Sequence, residues 1–160
     1  FRGKDRLDIA FVGDLKYGRT VHSLVIALSH FPCRLIFVSP PSLEMPGQYL
    51  QILKERGVPF SSHRDLEDVI RKVDILYATR IQEERFPDPL EYEKVKNTYV
   101  IRPGMLQGVR PGLRILHPLP RVGEIDPGVD QHPQAAYFDQ AGNGIPVRQA
   151  LLALVMGKLR

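Results

Sequence analysis

Three polar segments of this 160-residue chain carry side chains able to hold a small anion: GDLKYGRTVHS at 13–23, TRIQEER at 79–85 and HPLPR at 117–121. Between them they supply Lys16, Arg19, Arg80, Arg85 and Arg121, with Gln82 as a neutral donor and acceptor. A guanidinium is a planar fork of donors that meets a carboxylate through two parallel hydrogen bonds, so a pair of arginines from different loops would fix a dicarboxylate in one orientation. Taken singly, each residue has a commonplace explanation: an isolated arginine is usually a solvated surface group, and a histidine beside a proline usually a packing or turn residue. Convergence would make them a site. Leu119-Pro120 adds a constraint, because X-Pro bonds are the common cis peptides and a cis bond here would aim main-chain carbonyls into a cleft, where they could accept from a substrate amine. On frequency alone, a trans proline closing a strand is the commoner case. Gly13 and Gly18 are spaced unlike G-x-G-x-x-G, so a dinucleotide-binding turn lacks its fingerprint.

Each of the three segments begins where a strand is expected to end. Asp8–Val12 is an apolar run closed by Gly13 and Asp14, followed by a helix over Gly18–His30 with Val21, Leu24, Val25 and Leu28 at helical spacing. Leu35–Val38 reads as a second strand, and Gly47–Arg56 as an amphipathic helix stopped by Gly57. A short strand over Val58–Ser61 and a short helix over Asp65–Lys72 come next, the helix with acids early and bases late. Asp74–Ala78 and Leu113–Leu116 complete the strands. Thr79–Pro89, polar and with two prolines, reads as an exposed loop; Pro103–Gly112 is a connection with a helical turn. From Gln134 onward the pattern predicts one short helix and then a long one over Ile145–Leu159, broken by Gly142 and Gly144.

Strands alternating with helices at this spacing imply a doubly wound parallel α/β sheet, three layers deep, in a single domain spanning 1–160. In such sheets ligands bind at the carboxyl ends of the strands, which is where the three polar segments would gather.

Composition supports one ordinary globular domain, at 43% hydrophobic and 25% charged residues. Cys33 stands alone, so a disulfide framework is excluded and a buried thiol is expected. A net charge of +4 comes from lysines and arginines scattered among acids, not from a basic block, which argues against a nucleic-acid partner and suits small polyanionic ligands. No apolar stretch approaches the roughly 18 residues of a membrane span, and the first residues are charged instead of signal-like, so no membrane partner and a cytoplasmic location are expected. No metal site or cofactor is expected.

Four segments in order, GDLKYGRTVHSL, YATRIQEERF, HPLPRVGEI and AAYFDQAGNGIPVRQALLAL, make the chain resemble the C-terminal, aspartate-binding domain of aspartate carbamoyltransferases over about Asp8 to Met156. That resemblance implies an enzyme joining carbamoyl phosphate to the amino group of L-aspartate in pyrimidine biosynthesis, without a covalent intermediate. It implies that Arg19 and Arg80 bind the aspartate carboxylates with Gln82 assisting. Leu119 would offer its carbonyl to the reacting nitrogen across a cis Leu119-Pro120 bond. Glu84 and Arg85 would position the mobile loop, and Lys16, Tyr17, Arg121 and Glu124 would act in domain closure or support. The family's carbamoyl-phosphate half, with its S-x-R-T-R loop and H-P-x-Q motif, is not matched in this sequence, and His132-Pro133-Gln134 echoes it only superficially. The isolated chain is therefore expected to be inactive, and Val147, Leu151, Leu154 and Val155 of the last helix to include an exposed apolar patch. The resemblance also implies a homotrimer for the full enzyme. A sister carbamoyltransferase, such as one using ornithine, would want an acid in place of a second arginine and a cysteine where Pro118 stands. A non-catalytic binding or assembly module with the same fold is the other alternative.

Overall fold

Near-continuous apolar runs such as LDIAFV and CRLIFV can be buried on both sides only when a sheet is covered on both faces, which is the condition of a parallel sheet with crossover helices. The computed structural model describes residues 4–158 and has that architecture. In chain order the elements are β1 Leu7–Val12, α1 Arg19–Leu28, β2 Cys33–Val38, α2 Gly47–Glu55, β3 Phe60–His63, α3 Glu67–Ile70, β4 Ile75–Ala78, α4 Pro89–Val95, β5 Arg114–Leu116 and α5 Tyr137–Val155. All five strands are parallel, in the order β3-β2-β1-β4-β5. The order reverses beside β1, which pairs with β2 on one side and β4 on the other.

Side-chain alternation along the strands divides the core in two. Ala10, Val12, Ile36, Val38, Leu76, Ala78 and Ile115 face one layer, where they meet Val69, Ile70, Ile101, Leu106 and Tyr137. Ile9, Phe11, Leu35, Phe37 and Tyr77 face the other, against Val21 and Val25 of α1 and Leu53 of α2. Cys33 belongs to this second layer, buried as expected, with its thiol donating to the Leu28 carbonyl at 3.3 Å.

Several boundaries differ from those read off the sequence. The third strand lies at Phe60–His63 and not at Val58–Ser61: Val58 turns into the core after the left-handed Gly57, and pairing with β2 begins only at Phe60. The helix expected over Asp65–Lys72 is only the turn Glu67–Ile70. Helix α4 was not foreseen, although Asp88 caps it by accepting from the Leu90 amide at 2.9 Å and Pro89 occupies the first turn. The C-terminal pair of helices is one continuous helix, α5, through Gly142, Gly144 and Pro146. A helical glycine costs only about 1 kcal/mol relative to alanine, so two of them weaken a helix without ending it. Leu159, the expected end, lies outside the described residues.

The amino-terminal edge of the sheet is tied by buried charge. Asp74, 4% exposed at its side chain, accepts from Lys4, from Arg110 at 2.8 Å and from the Asp8 amide at 3.0 Å, while Arg34 grips Asp8 with two bonds of 3.0 and 2.9 Å. Burial alone would raise the Asp74 pKa, but these donors outweigh it and hold the carboxyl below its ordinary value of 3.8. Asp74→Asn should therefore lower stability by about 1–3 kcal/mol at neutral pH, read as a lower urea midpoint. Because the folded pKa is depressed, the wild-type advantage is present above the ordinary carboxylate value and fades as pH falls through it, so the two proteins should converge on acidification.

Candidate functional site

The carboxyl ends of β1, β4 and β5 open into loops that meet over the point where the strand order reverses, the usual ligand crevice of an open α/β sheet. A cleft of about 230 Å³ lies there, lined by Tyr17, Gly18, Arg19 and Thr20 from the first loop, Thr79, Arg80 and Gln82 from the second, and Pro118, Leu119 and Pro120 from the third. No acid lines it. Arg19, Arg80, Gln82, Leu119 and Pro120 are thus brought together as the sequence suggested.

Close backbone packing explains how two of these loops approach. Gly13 has φ of +113°, and a Cβ there would stand 2.4 Å from the Thr79 carbonyl oxygen, so only glycine lets the β1 and β4 ends lie side by side. Thr79 reinforces the join, its amide donating to the Val12 carbonyl at 2.9 Å and its hydroxyl at 3.1 Å.

Asp14, 1% exposed, follows Gly13, where the sequence shows only the close of a strand. One carboxylate oxygen accepts from the Tyr17 amide at 2.8 Å, and the other has no well-formed hydrogen bond. Burial drives its pKa up against the opposing pull of nearby amides and His22. No sequence pattern short of a structure flags it, because an aspartate after a glycine is an ordinary turn signal.

The two arginines differ in their present engagement. Arg80 pairs with Glu84 at 2.6 Å, a contact between partly exposed groups. Arg19 makes no ion pair among the described residues. Arg85 donates to Gln82 at 3.3 Å. Lys16, Glu84, Arg85 and Arg121 do not line the cleft. Lys16 lies 5.1 Å from the Tyr17 ring centroid, while Glu84 and Arg80 also border a neighbouring 180 Å³ hollow that reaches Tyr92 and Glu124. Arg121 is held away by Asp130 and by the Tyr137 hydroxyl at 3.2 Å.

The third wall rests on His117 and Glu124. The Leu119 amide donates to His117 Nδ1 at 2.9 Å, so that nitrogen is an acceptor and the ring proton sits on Nε2, facing Glu124 Oε1 at 2.6 Å. That contact is bent away from a linear hydrogen bond. Burial works against the Glu124 carboxylate, but His117 and the amides of Gly123 and Val122 outweigh it and lower the pKa to about 2. Leu119 has φ of +53°, uncommon for a residue with a side chain, and its bond to Pro120 is cis. A larger hollow of about 460 Å³ between α3 and residues 98–105 mixes Arg64 and Arg102 with Asp65 and Glu67, and lacks the acid-free character of the cleft.

The Asp/Orn binding domain of aspartate/ornithine carbamoyltransferases matches residues 5–155. The chain is 52% identical over 155 residues to the aspartate carbamoyltransferase catalytic subunit of Methanococcoides burtonii, covering 97% of this chain and 50% of that protein. Its fold superposes on the catalytic subunit of M. jannaschii aspartate transcarbamoylase with a TM-score of 0.89 at 51% identity, over 97% of this chain and 52% of that one. It also superposes on the Trypanosoma cruzi aspartate transcarbamoylase in complex with aspartate and phosphate, with a TM-score of 0.80 at 36% identity, over 92% of this chain and 47% of that one. The chain spans about half the length of these relatives. A parallel sheet whose strand ends present two arginines to one crevice, matched over nearly all its length, places this chain in the aspartate/ornithine carbamoyltransferase family, as its Asp/Orn-binding domain.

Proposed function

We propose that the chain, as an aspartate-binding domain over 1–160, holds L-aspartate for an aspartate carbamoyltransferase, and that carbamoyl phosphate is held by the other half of such an enzyme. The observation carrying this reading is the acid-free cleft walled by Arg19 and Arg80. Each guanidinium would take one carboxylate, with Gln82 assisting. An ornithine side chain would bring an ammonium group beside those arginines with no carboxylate in the wall to receive it, which favours aspartate within the family.

With both substrates held, the aspartate amine would attack the carbonyl carbon of carbamoyl phosphate, forming the C–N bond. The C–O bond to phosphate then breaks, and the departing phosphate takes the amine proton. The Leu119 carbonyl would accept from the amine and orient its lone pair, while Pro120 shapes that corner of the cleft. Holding two reactants in attack geometry and stabilising the tetrahedral intermediate with fixed donors supplies the acceleration, so no side-chain nucleophile or cofactor is needed. Glu84 and Arg85 would hold Arg80 and Gln82 in place, and Lys16 and Arg121 would serve closure against the carbamoyl-phosphate half. The Arg80–Glu84 and Arg85–Gln82 contacts support that assignment.

The carbamoyl-phosphate half of such an enzyme also accounts for α5. Ile145, Val147, Leu151, Leu152, Leu154 and Val155 are each more than half exposed, an apolar face larger than a free-standing domain usually keeps. We assign it to contact with the carbamoyl-phosphate domain of a cytoplasmic homotrimer; among the described residues, no helix is long and apolar enough to cross a membrane.

Succinate, a dicarboxylate without the amine, should bind this chain in calorimetry. Arg19→Ala and Arg80→Ala should each weaken it at least about tenfold, since each leaves a carboxylate poorly paired. Unchanged dissociation constants would refute the assignment. Carbamoyl-aspartate formation should be absent from the isolated chain and appear on fusion to a carbamoyl-phosphate domain from a relative. Activity of the chain alone would overturn the account of two halves. Glu124, with its depressed pKa, stabilises the fold above its ordinary value of 4.5, and that contribution is lost as pH falls towards about 2. Glu124→Gln should therefore be the less stable protein at pH 7 and show a shallower loss of urea midpoint between pH 5 and 3.

A further inference from the structure

His22 lies one turn beyond Arg19 on α1, half-buried, and does not line the cleft. Its ring stacks on Tyr49 of α2, with centroids 4.2 Å apart and planes 20° from parallel. Its Nε2 stands 2.9 Å from the Leu15 carbonyl oxygen, and since a carbonyl only accepts, that nitrogen carries the proton. Leu15 is fully buried. Its amide donates to the Leu43 carbonyl at 3.2 Å, and no loop or turn amide among the described residues donates to its own carbonyl. Leu15 is thus pinned from both sides, by the Leu43 carbonyl and by the His22 ring of α1. From that point the chain runs through Lys16 to Tyr17, Gly18 and Arg19, the first wall of the cleft.

We infer that His22 is a positioning residue: its Nε2–H, aimed by the stack on Tyr49, fixes the Leu15 carbonyl and thereby sets where Tyr17 and Arg19 stand across from Arg80. The inference deepens the proposed function, on which its ligand-binding consequence rests. Two properties of the ring are separable. The stack fixes the ring plane between α1 and α2, and the donor satisfies a buried carbonyl that would otherwise stand unpaired, a loss that the nearby loop can relieve only by moving towards water. A residue that merely packs would need the ring, whereas one that positions the loop needs the proton donor.

The test uses the intact 160-residue chain with succinate as probe. His22→Phe keeps an aromatic ring over Tyr49 without a donor; His22→Gln keeps a donor without the ring. Succinate affinity should fall about tenfold in His22→Phe, and the amides of residues 15–19 should exchange with solvent faster, while His22→Gln regains most of the affinity and protection. The reverse ranking, with Phe innocuous and Gln impaired, would show that packing is the role of His22 and overturn the inference, as would wild-type behaviour in both. If the wild-type chain itself fails to bind succinate, the proposed function falls, and amide exchange still decides the positioning role: unchanged exchange at 15–19 in His22→Phe overturns it. Should the phenylalanine variant not fold, His22→Leu, which also lacks a donor, takes its place.

Discussion

All five strands of this sheet run the same way, and that shared direction is the constraint on which the rest depends. Parallel strands cannot be joined by hairpins, so each must be followed by a return path over one face, and each delivers its following loop to the same edge. Because the order reverses beside β1, the loops after β1 and β4 are carried to opposite faces as they leave and part to form a crevice. Gly13 lets the two strand ends close to within contact of Thr79, and β5 brings His117 to Pro120 up beside them. Cleft walls from three distant parts of the chain thus follow from a rule about backbone hydrogen bonds.

Charge is distributed to match. At the amino-terminal edge, Lys4, Arg34 and Arg110 are engaged in ion pairs with Asp8 and Asp74. At the carboxyl edge, Arg19 has no ion-pair partner among the described residues, and Arg80 has only the partly exposed Glu84. A surface pair of that kind contributes little and is readily exchanged for a ligand carboxylate. Arg19 and Arg80 are therefore available to a ligand at the crevice, while Lys4, Arg34 and Arg110 are engaged at the opposite edge. Behind the crevice, the buried Asp14 and His117 and the half-buried His22 and Glu124 bond to loop backbone, so the segments that carry the arginines are held by the layers beneath them.

Much of this was legible before any coordinates. The strands over Asp8–Val12, Leu35–Val38 and Asp74–Ala78 have apolar runs that survive in the structure with shifts of a residue or two, because a fully buried strand leaves a composition signal independent of its neighbours. Edges and ends were harder. The residues of β3 are Phe60, Ser61, Ser62 and His63, which pair with β2 at the sheet margin and so need little apolar content; nothing local distinguishes them from Val58–Ser61. Helix α5 passes through two glycines and a proline that local propensity reads as a break. Arg121, one of the cations the sequence offers at the sheet edge, pairs with Asp130 nine residues on, a partner that spacing alone does not reveal.

What the sequence by itself determined was the alternation of strand and helix, the parallel sheet this requires, and the types of group that would stand at its carboxyl edge. Those follow from side-chain periodicity and from donors and acceptors written into each residue. Only the tertiary structure decided which of the cations face one another, which are already paired, and which buried polar groups hold the loops. Such outcomes depend on distances between residues far apart in the chain: Arg19 from Arg80, Lys4 from Asp74, Tyr49 from His22. Those distances are set by how two packed layers settle against one sheet, a property no segment carries alone.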